Sequence, residues 1–552
     1  MAPASSRVKF EDVVDGDEDF IHSQNHEDEK NQFRNFIWDH RDLIQQFIFL
    51  HLNLKSGKGY TCFIPPPREW EEGRFNLSFP VEICDMETKT SRTLMYRVSI
   101  PDALGENDHP GSVEEKVRIE AASHIWVREN TPSVPVPHLY GFGFADDRHF
   151  THIQQFDKDA QLAHCFKHAL AEKFAGKSLT QYVRNSKLKS PFAYLIYEHI
   201  GPKEGSILTD RLEEDGYTTE RYVNLFTGIA ALMLTLASIP QDKIGSWTFN
   251  DDGTISLTAR PLFSAFTMLE TAGVTRSINK GDTYNNSEAF MADLIRFQQN
   301  RLTDLSNSVK SAKDAKTKMA AISVLRSIAH KYIRRESRFG PFVMQLTELD
   351  MSHLVVDKKW NILYLLDLEF FTSLPAEMWQ EPHWLTSRLV DPGTELAFTV
   401  HELRLNFLRI MHPMELILRK LMRHELPLYQ ILQDQWECDG AWFWESMISL
   451  NGSGDFIRQN TNYITFPPGG PRLHQVVYQF WGSDAEEIIA KKVEDRARYV
   501  EKLRSWFDAR DAIVARDARY QAAAARQQAA LAPAPSCDAM DVDEAPVDGN
   551  PQ

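Results

Sequence analysis

The spacing of hydrophobic positions changes period several times along this chain. Phe33, Phe36, Ile37, Ile44 and Phe47 recur at helical intervals, so a helix is predicted after a polar, acidic start. Phe75, Leu77 and Phe79 then alternate, as do Leu94, Tyr96 and Val98, and two strands are predicted, the first opening from a turn at Glu72-Gly73. Val117, Ala121, Ile125 and Trp126 give the buried stripe of the next helix. The apolar run from Phe192 to Gly201 reads as a strand closed by Gly-Pro. Further on, Tyr222, Leu225, Ile229, Leu232, Leu236 and Ile239 form a second helical stripe that Pro240 ends, and Asn250 to Gly253 turn a hairpin. Strands Leu354–Val356 and Ile362–Leu366, joined by a turn at Asp357-Lys358-Lys359, form an apolar hairpin. Ser483-Asp484-Ala485-Glu486 has the pattern of a capping box ahead of a helix carrying Ile489, Val493, Val500, Leu503 and Phe507. Strands come early and helices late, which predicts an α+β fold.

Polar residues inside these apolar segments are the candidates for chemistry. Arg97 shares a strand face with Met95 and Ser99, and a cation within an apolar strand needs an anionic partner. The hairpin at 354–366 has Glu348 and Asp350 before it and Asp367 and Glu369 after it, so carboxylates gather at one end of two buried strands. Phosphoryl-transfer enzymes of the kinase type need that arrangement, with a catalytic loop before the hairpin and a metal-binding acid after it.

The stretch LTELDMSHLVVDKKWNILYLLDLE (346–369) resembles fungal proteins of the aminoglycoside phosphotransferase-like (kinase-like) superfamily. So do SVPVPHLYGFG, the Ile244-Gly245-Ser246-Trp247 and Arg260-Pro261-Leu262 signatures, and SLPAEMWQEPHWLT. The resemblance covers roughly residues 30 to 510 and implies a protein kinase-like two-lobed fold, with a β-rich N-lobe and a mainly helical C-lobe. It implies ATP or GTP with Mg2+ as cofactors and a small-molecule hydroxyl as acceptor. Glu348 falls where the family has its catalytic Asp, His353 where it has a metal-binding Asn, and Asp350 where a His is usual, while Asp367 matches the second metal ligand. Gly73 falls in the phosphate-covering hairpin and Arg97 at the phosphate-holding cation, with Glu120 as its helix partner. Backbone groups at Glu198, His199 and Ile200 would read the adenine edge.

Two of those changes bear on turnover. Glu348 keeps a carboxylate but reaches one methylene further, and an imidazole at His353 is a poor ligand for a hard cation. An oxygen from Asp350 would help only if the loop bends. Two functions stay open: an ATP-dependent phosphotransferase acting on an unknown small molecule, or a pseudokinase that binds or scaffolds.

Composition narrows the surroundings. The chain has 552 residues, 43% hydrophobic, with a formal net charge of −16, which argues against non-specific nucleic-acid binding. Five scattered cysteines without CxxC spacing, and no apolar run of membrane-spanning length, point to a cytoplasmic protein with no membrane contact. Residues 1–28 read as a disordered acidic arm, 29–200 as an extension helix and the N-lobe, 201–514 as the C-lobe, and 515–552 as a fraying helix with an acidic tail available to a partner. The segment 144–190 breaks the family pattern; His164 and His168 stand four apart there but lack companion ligands for a metal. Trp442 and Trp444 read as core.

Overall fold

A computed structural model describes residues 8–16, 19–54, 59–185, 188–216, 218–387, 400–450 and 473–531. The fold is α+β. Residues 17–496 form one compact unit, and residues 1–16 with 497–552 form another.

In the larger unit, helices α2 (Phe20–Asp39) and α3 (Arg41–His51) precede an antiparallel sheet. Its strands are β1 (Tyr60–Phe63), β2 (Glu71–Glu72), β3 (Asn76–Asp85), β4 (Ser91–Ser99), β5 (Leu139–Gly143), β6 (His149–His152), β7 (Tyr182–Arg184) and β8 (Tyr194–Glu198). They lie in the order β1-β3-β4-β8-β5-β6-β7, with β2 beside β3. The alternation seen in the sequence sets the inward face: Leu77, Phe79, Leu94, Tyr96 and Val98 are all buried. They pack in one core with Ile44, Phe47 and Ile48 of α3 and with Val117 and Ala121 of α4 (Ser112–Asn130).

The second core is built on α7 (Thr219–Ala237), whose predicted stripe is buried from Tyr222 to Leu236 while Ile239 lies half-buried beyond the helix end, together with a small sheet of β9 (Ser206–Ile207), β13 (Leu354–Val356) and β14 (Ile362–Leu365). Strands β12 (Val343–Leu346) and β15 (Phe371–Leu374) pair beside it, so the segments on both sides of the β13–β14 hairpin are fixed at their far ends. A third core gathers later helices around Phe290, Leu294 and Trp444. Among the described residues no helix is long and apolar enough to cross a membrane.

The start of the chain differs from the expectation of disorder to residue 28. Helix α2 begins at Phe20, capped by the Asp19 side chain, which accepts from His22 N at 3.0 Å. Ile21 is buried, and His22 Nε2 bonds Thr271 O at 3.0 Å. Those partners lie far away in sequence, so local polarity hid them. The predicted helix over 33–47 is two helices divided at His40, which lets both lay apolar residues on the sheet. The capping box at Ser483 does not form as read. The last helix, Ala485–Leu531, begins two residues later, and Glu486 accepts from Lys316 Nζ (3.0 Å) and Tyr478 Oη (2.5 Å) instead of folding back. The helix expected to fray from residue 515 continues to Leu531, and the acidic tail after it lies outside the described residues.

In the smaller unit α1 (Phe10–Val13) sets Phe10 edge-on to Phe507, with ring centroids 6.0 Å apart. Arg510 donates to Val8 O at 2.7 Å and stacks over Phe507.

Candidate active site

Strand β4 carries Arg97 into a cluster of buried charge. Its guanidinium lies 3.0 Å from Glu120 Oε1 of α4, 2.8 Å from Asp367 Oδ2 and 3.3 Å from Glu369 Oε2. The pair read from the sequence, Arg97 with Glu120, is therefore formed. Its setting is more elaborate than expected. Lys116, one helical turn before Glu120, points into the same place and is 1% exposed. Its ammonium reaches Glu120 Oε2 (2.6 Å), Glu369 Oε2 (2.8 Å) and Asn76 Oδ1 (2.5 Å). Asn76 in turn donates to Glu369 Oε2 at 2.8 Å, and Tyr197 Oη donates to Glu120 Oε1 at 2.9 Å.

Burial acts against the charges of Arg97, Glu120 and Asp367, and their partners decide the outcome. Asp367, Glu120 and Glu369 outweigh desolvation at Arg97 and hold its guanidinium firmly protonated. Against the same penalty, Arg97, His353 and the Glu369 amide hold Asp367 well below the usual carboxylate range, and Arg97 and Lys116 lower Glu120. Two cations face three carboxylates, so one negative charge is left over. Arg97 Nε, also buried, has no hydrogen-bond partner among the described residues. The cluster thus keeps both a surplus negative charge and a free donor.

The loop before the hairpin sets the other predicted residues. Asp350 Oδ1 accepts from Ser352 N (3.0 Å) and Ser352 Oγ (2.9 Å), capping the short turn Met351–His353. His353 Nδ1 lies 2.8 Å from Glu348 O. Glu348 reaches solvent from a recess whose walls raise its carboxyl above the ordinary value, an effect that Ser264, Arg74 and His353 moderate. It lines a cavity of about 310 Å³ together with Met233, Trp379, Trp384 and Trp442. Trp444 is core, as read, but Trp442 is 39% exposed at this cavity and is not a core residue.

Gly73 sits in the turn before β3, where an added Cβ would meet only Asn76 O at 3.5 Å, so nothing there requires glycine. Glu198 ends β8 with its side chain accepting from His138 N at 3.1 Å, and His199 and Ile200 follow it in the link to β9. The insertion histidines bond locally, His164 to Thr180 O at 3.0 Å and His168 to Ser178 Oγ at 3.4 Å.

Among the described residues no three His, Cys, Asp or Glu side chains form a metal-holding group. Mg2+ does not require one, since it is commonly held by one or two carboxylates plus waters and substrate phosphates. Asp367 uses two of about four lone-pair directions, on Arg97 and on Glu369 N, which leaves oxygen capacity beside the surplus negative charge. The Asp367 carboxylate therefore fits such an ion, while Asp350 Oδ1 is engaged by Ser352. Lys116 and Asn76 were missed in the sequence; the four-residue spacing of Lys116 and Glu120 was the available signal. No family model matches this chain, and no curated protein does.

Proposed function

We propose that this chain is a kinase-like, aminoglycoside phosphotransferase-like protein that transfers a phosphoryl group from a nucleotide to a hydroxyl of a small molecule held beside Glu348. The observation that carries this reading is the meeting of Arg97 with Glu120 and Asp367 at 3.0 and 2.8 Å. One residue comes from a strand, one from a helix, and one from just after a hairpin. The strand order β3-β4-β8-β5 and the hairpin β13–β14 between Glu348 and Asp367 support a two-lobed, kinase-like arrangement around them.

In this reading Arg97 holds the nucleotide's phosphates, and its unpartnered Nε is a donor for one phosphate oxygen. Glu120 and Lys116 keep Arg97 in place. The link at Glu198, His199 and Ile200 offers backbone groups to the base, because the Glu198 carboxylate is already turned onto His138 N. Glu348 orients the acceptor hydroxyl at the mouth of the cavity, and its raised carboxyl suits it to accept a proton. Asp367 would hold the Mg2+ that, when bound, neutralises phosphate charge. The scattered cysteines favour a cytoplasmic setting.

A pseudokinase is the second reading, and a separate observation favours it. Asn76 and Lys116 bind Glu369, and Phe75 packs edge-on against Phe370 with centroids 5.4 Å apart. These contacts draw the β3 hairpin onto the segment after Asp367, where phosphates would sit.

Thermal unfolding with ATP or GTP, each with and without Mg2+, tests nucleotide binding by mass action. The expected result is a Mg2+-dependent rise in midpoint that Asp367→Ala removes. No shift with either nucleotide overturns the phosphotransferase reading and leaves a scaffold that holds no nucleotide. Glu348→Asp with His353→Asn should raise nucleotide hydrolysis; a variant that binds as before and gains nothing favours the pseudokinase.

A further inference from the structure

Helix α5 (Lys158–Ala175) turns its apolar side outward. Leu162, Phe166, Leu170 and Phe174 recur every four residues and so share one face. They are 58%, 63%, 56% and 75% exposed, and no residue of the helix is buried. The inward side is polar: Gln161, His164 and His168 are the residues that bond the rest of the chain. This inverts the usual pattern of a surface helix. A stripe of two Leu and two Phe in water marks an interaction surface.

The charges on the same face say what covers it. Asp159 lies seven residues before Phe166 and Lys173 seven residues after it, so both fall on the stripe, one at each end. Among the described residues neither has an ion-pair partner, and Lys173 lies over the Phe174 ring at 5.5 Å. If a second copy of the helix is laid antiparallel about a twofold axis through Phe166, Asp159 of each copy meets Lys173 of the other. Leu162 then faces Leu170, Ala163 faces Ala169, and the two Phe166 rings meet on the axis. A parallel pair would set Asp159 against Asp159. The face is self-complementary only in the antiparallel sense, as a twofold interface requires.

We propose that the chain forms a symmetric homodimer through α5, with the partner's α5 antiparallel and Phe166 on the axis. One helix pair is a small interface, so the dissociation constant is on the order of 10 μM.

Sedimentation velocity on the full chain, from about 1 to about 200 μM, tests this directly. A concentration-dependent dimer is expected. Phe166→Asp should weaken it by more than about thirtyfold by placing two carboxylates on the axis. Asp159→Lys and Lys173→Asp should each weaken it about tenfold, and the double variant should restore it by re-forming both pairs in reverse. The positions are exposed, so the variants should fold, as unchanged thermal midpoints would show. A wild-type monomer throughout overturns the proposal, including a monomer that binds lipid vesicles through this face. So does a dimer indifferent to Phe166→Asp, or a double variant no better than the single ones. None of these readouts involves nucleotide.

Discussion

Helix α4 takes part in two buried ionic clusters built in opposite ways. Glu115 belongs to the first, with Arg260, Glu270 and Arg276. Arg260 meets Glu115 at 2.9 Å and Glu270 at 2.6 Å, while Arg276 meets Glu270 at 2.8 Å and Ser112 Oγ at 3.0 Å. Two cations face two carboxylates, and Arg260 donates from all three nitrogens. Lys116 and Glu120, on the same helix, belong to the cluster around Arg97, which carries one surplus negative charge and an unpartnered Nε. A balanced, saturated knot has nothing left to offer a ligand. The unbalanced one has an anion for a cation and a donor for an anion. Glu115 and Glu120, two glutamates of one helix, thus fall into a structural set and a candidate functional set that differ in charge balance.

The largest effect expected from this contrast is in the balanced knot. Arg260→Met leaves Glu115 and Glu270 buried with only Arg276 nearby, and breaking a buried pair in that way costs about 3–5 kcal/mol. Urea unfolding measures it. A loss below about 1 kcal/mol would mean that water or a shifted Arg276 replaces the guanidinium, and the knot would not be closed.

A pH series gives the next test. His124 lies beneath the Arg97 cluster, 1% exposed, with neither ring nitrogen hydrogen-bonded, and burial lowers it to about 4 despite Glu120 and Asp367. Its folded value lies below its unfolded one, so the unfolded chain takes up a proton that the folded chain refuses. The corresponding stability is complete above about pH 6.5 and is lost as pH falls toward 4, at about 1.4 kcal/mol per pH unit. His124→Leu should remove that slope from urea unfolding measured between pH 7 and 5. His109, beside the balanced knot, is lowered by burial and Arg276 but is only partly covered, so His109→Leu should change the slope less. Equal slopes would erase the distinction between the two surroundings.

How much of this was legible in the sequence depended on reach. The strand alternation at Leu94, Tyr96 and Val98 and the stripe of α7 from Tyr222 to Leu236 are local patterns, and both are buried. A cation in an apolar strand demands an anion, which pointed to a partner for Arg97, while it was the resemblance that implied Glu120 for that role. Arg260 was visible only as part of a signature, since its partners lie 145 and 10 residues away and neither spacing is periodic. Asp350 is the opposite case: Ser352, which its Oδ1 accepts from, is only two residues away, so a local cap competes with the longer-range role that the resemblance implied. Outward-facing α5 looks like any amphipathic segment in sequence, because periodicity gives a face but not its direction.

The smallest effect is the sharpest test, because it compares one substitution at two sites. Glu270→Gln turns a balanced knot into one with a surplus cation, and Arg276 and Arg260 lose a shared carboxylate at 2.8 and 2.6 Å. The expected loss is about 1–3 kcal/mol, the cost of leaving a buried charge partly unmatched. Glu369→Gln does the reverse: it removes the surplus charge and leaves Arg97 and Lys116 matched by Glu120 and Asp367. An amide oxygen can still accept from Lys116 or Asn76, so the change in stability should stay under about 0.5 kcal/mol. Its cost should appear elsewhere. With the negative surplus gone, the Mg2+-dependent part of any nucleotide-induced thermal shift should shrink, although Asp367 is untouched. If Glu369→Gln instead destabilises as much as Glu270→Gln and leaves the Mg2+ response intact, the Arg97 cluster is a second structural knot. Charge balance would then not distinguish the two.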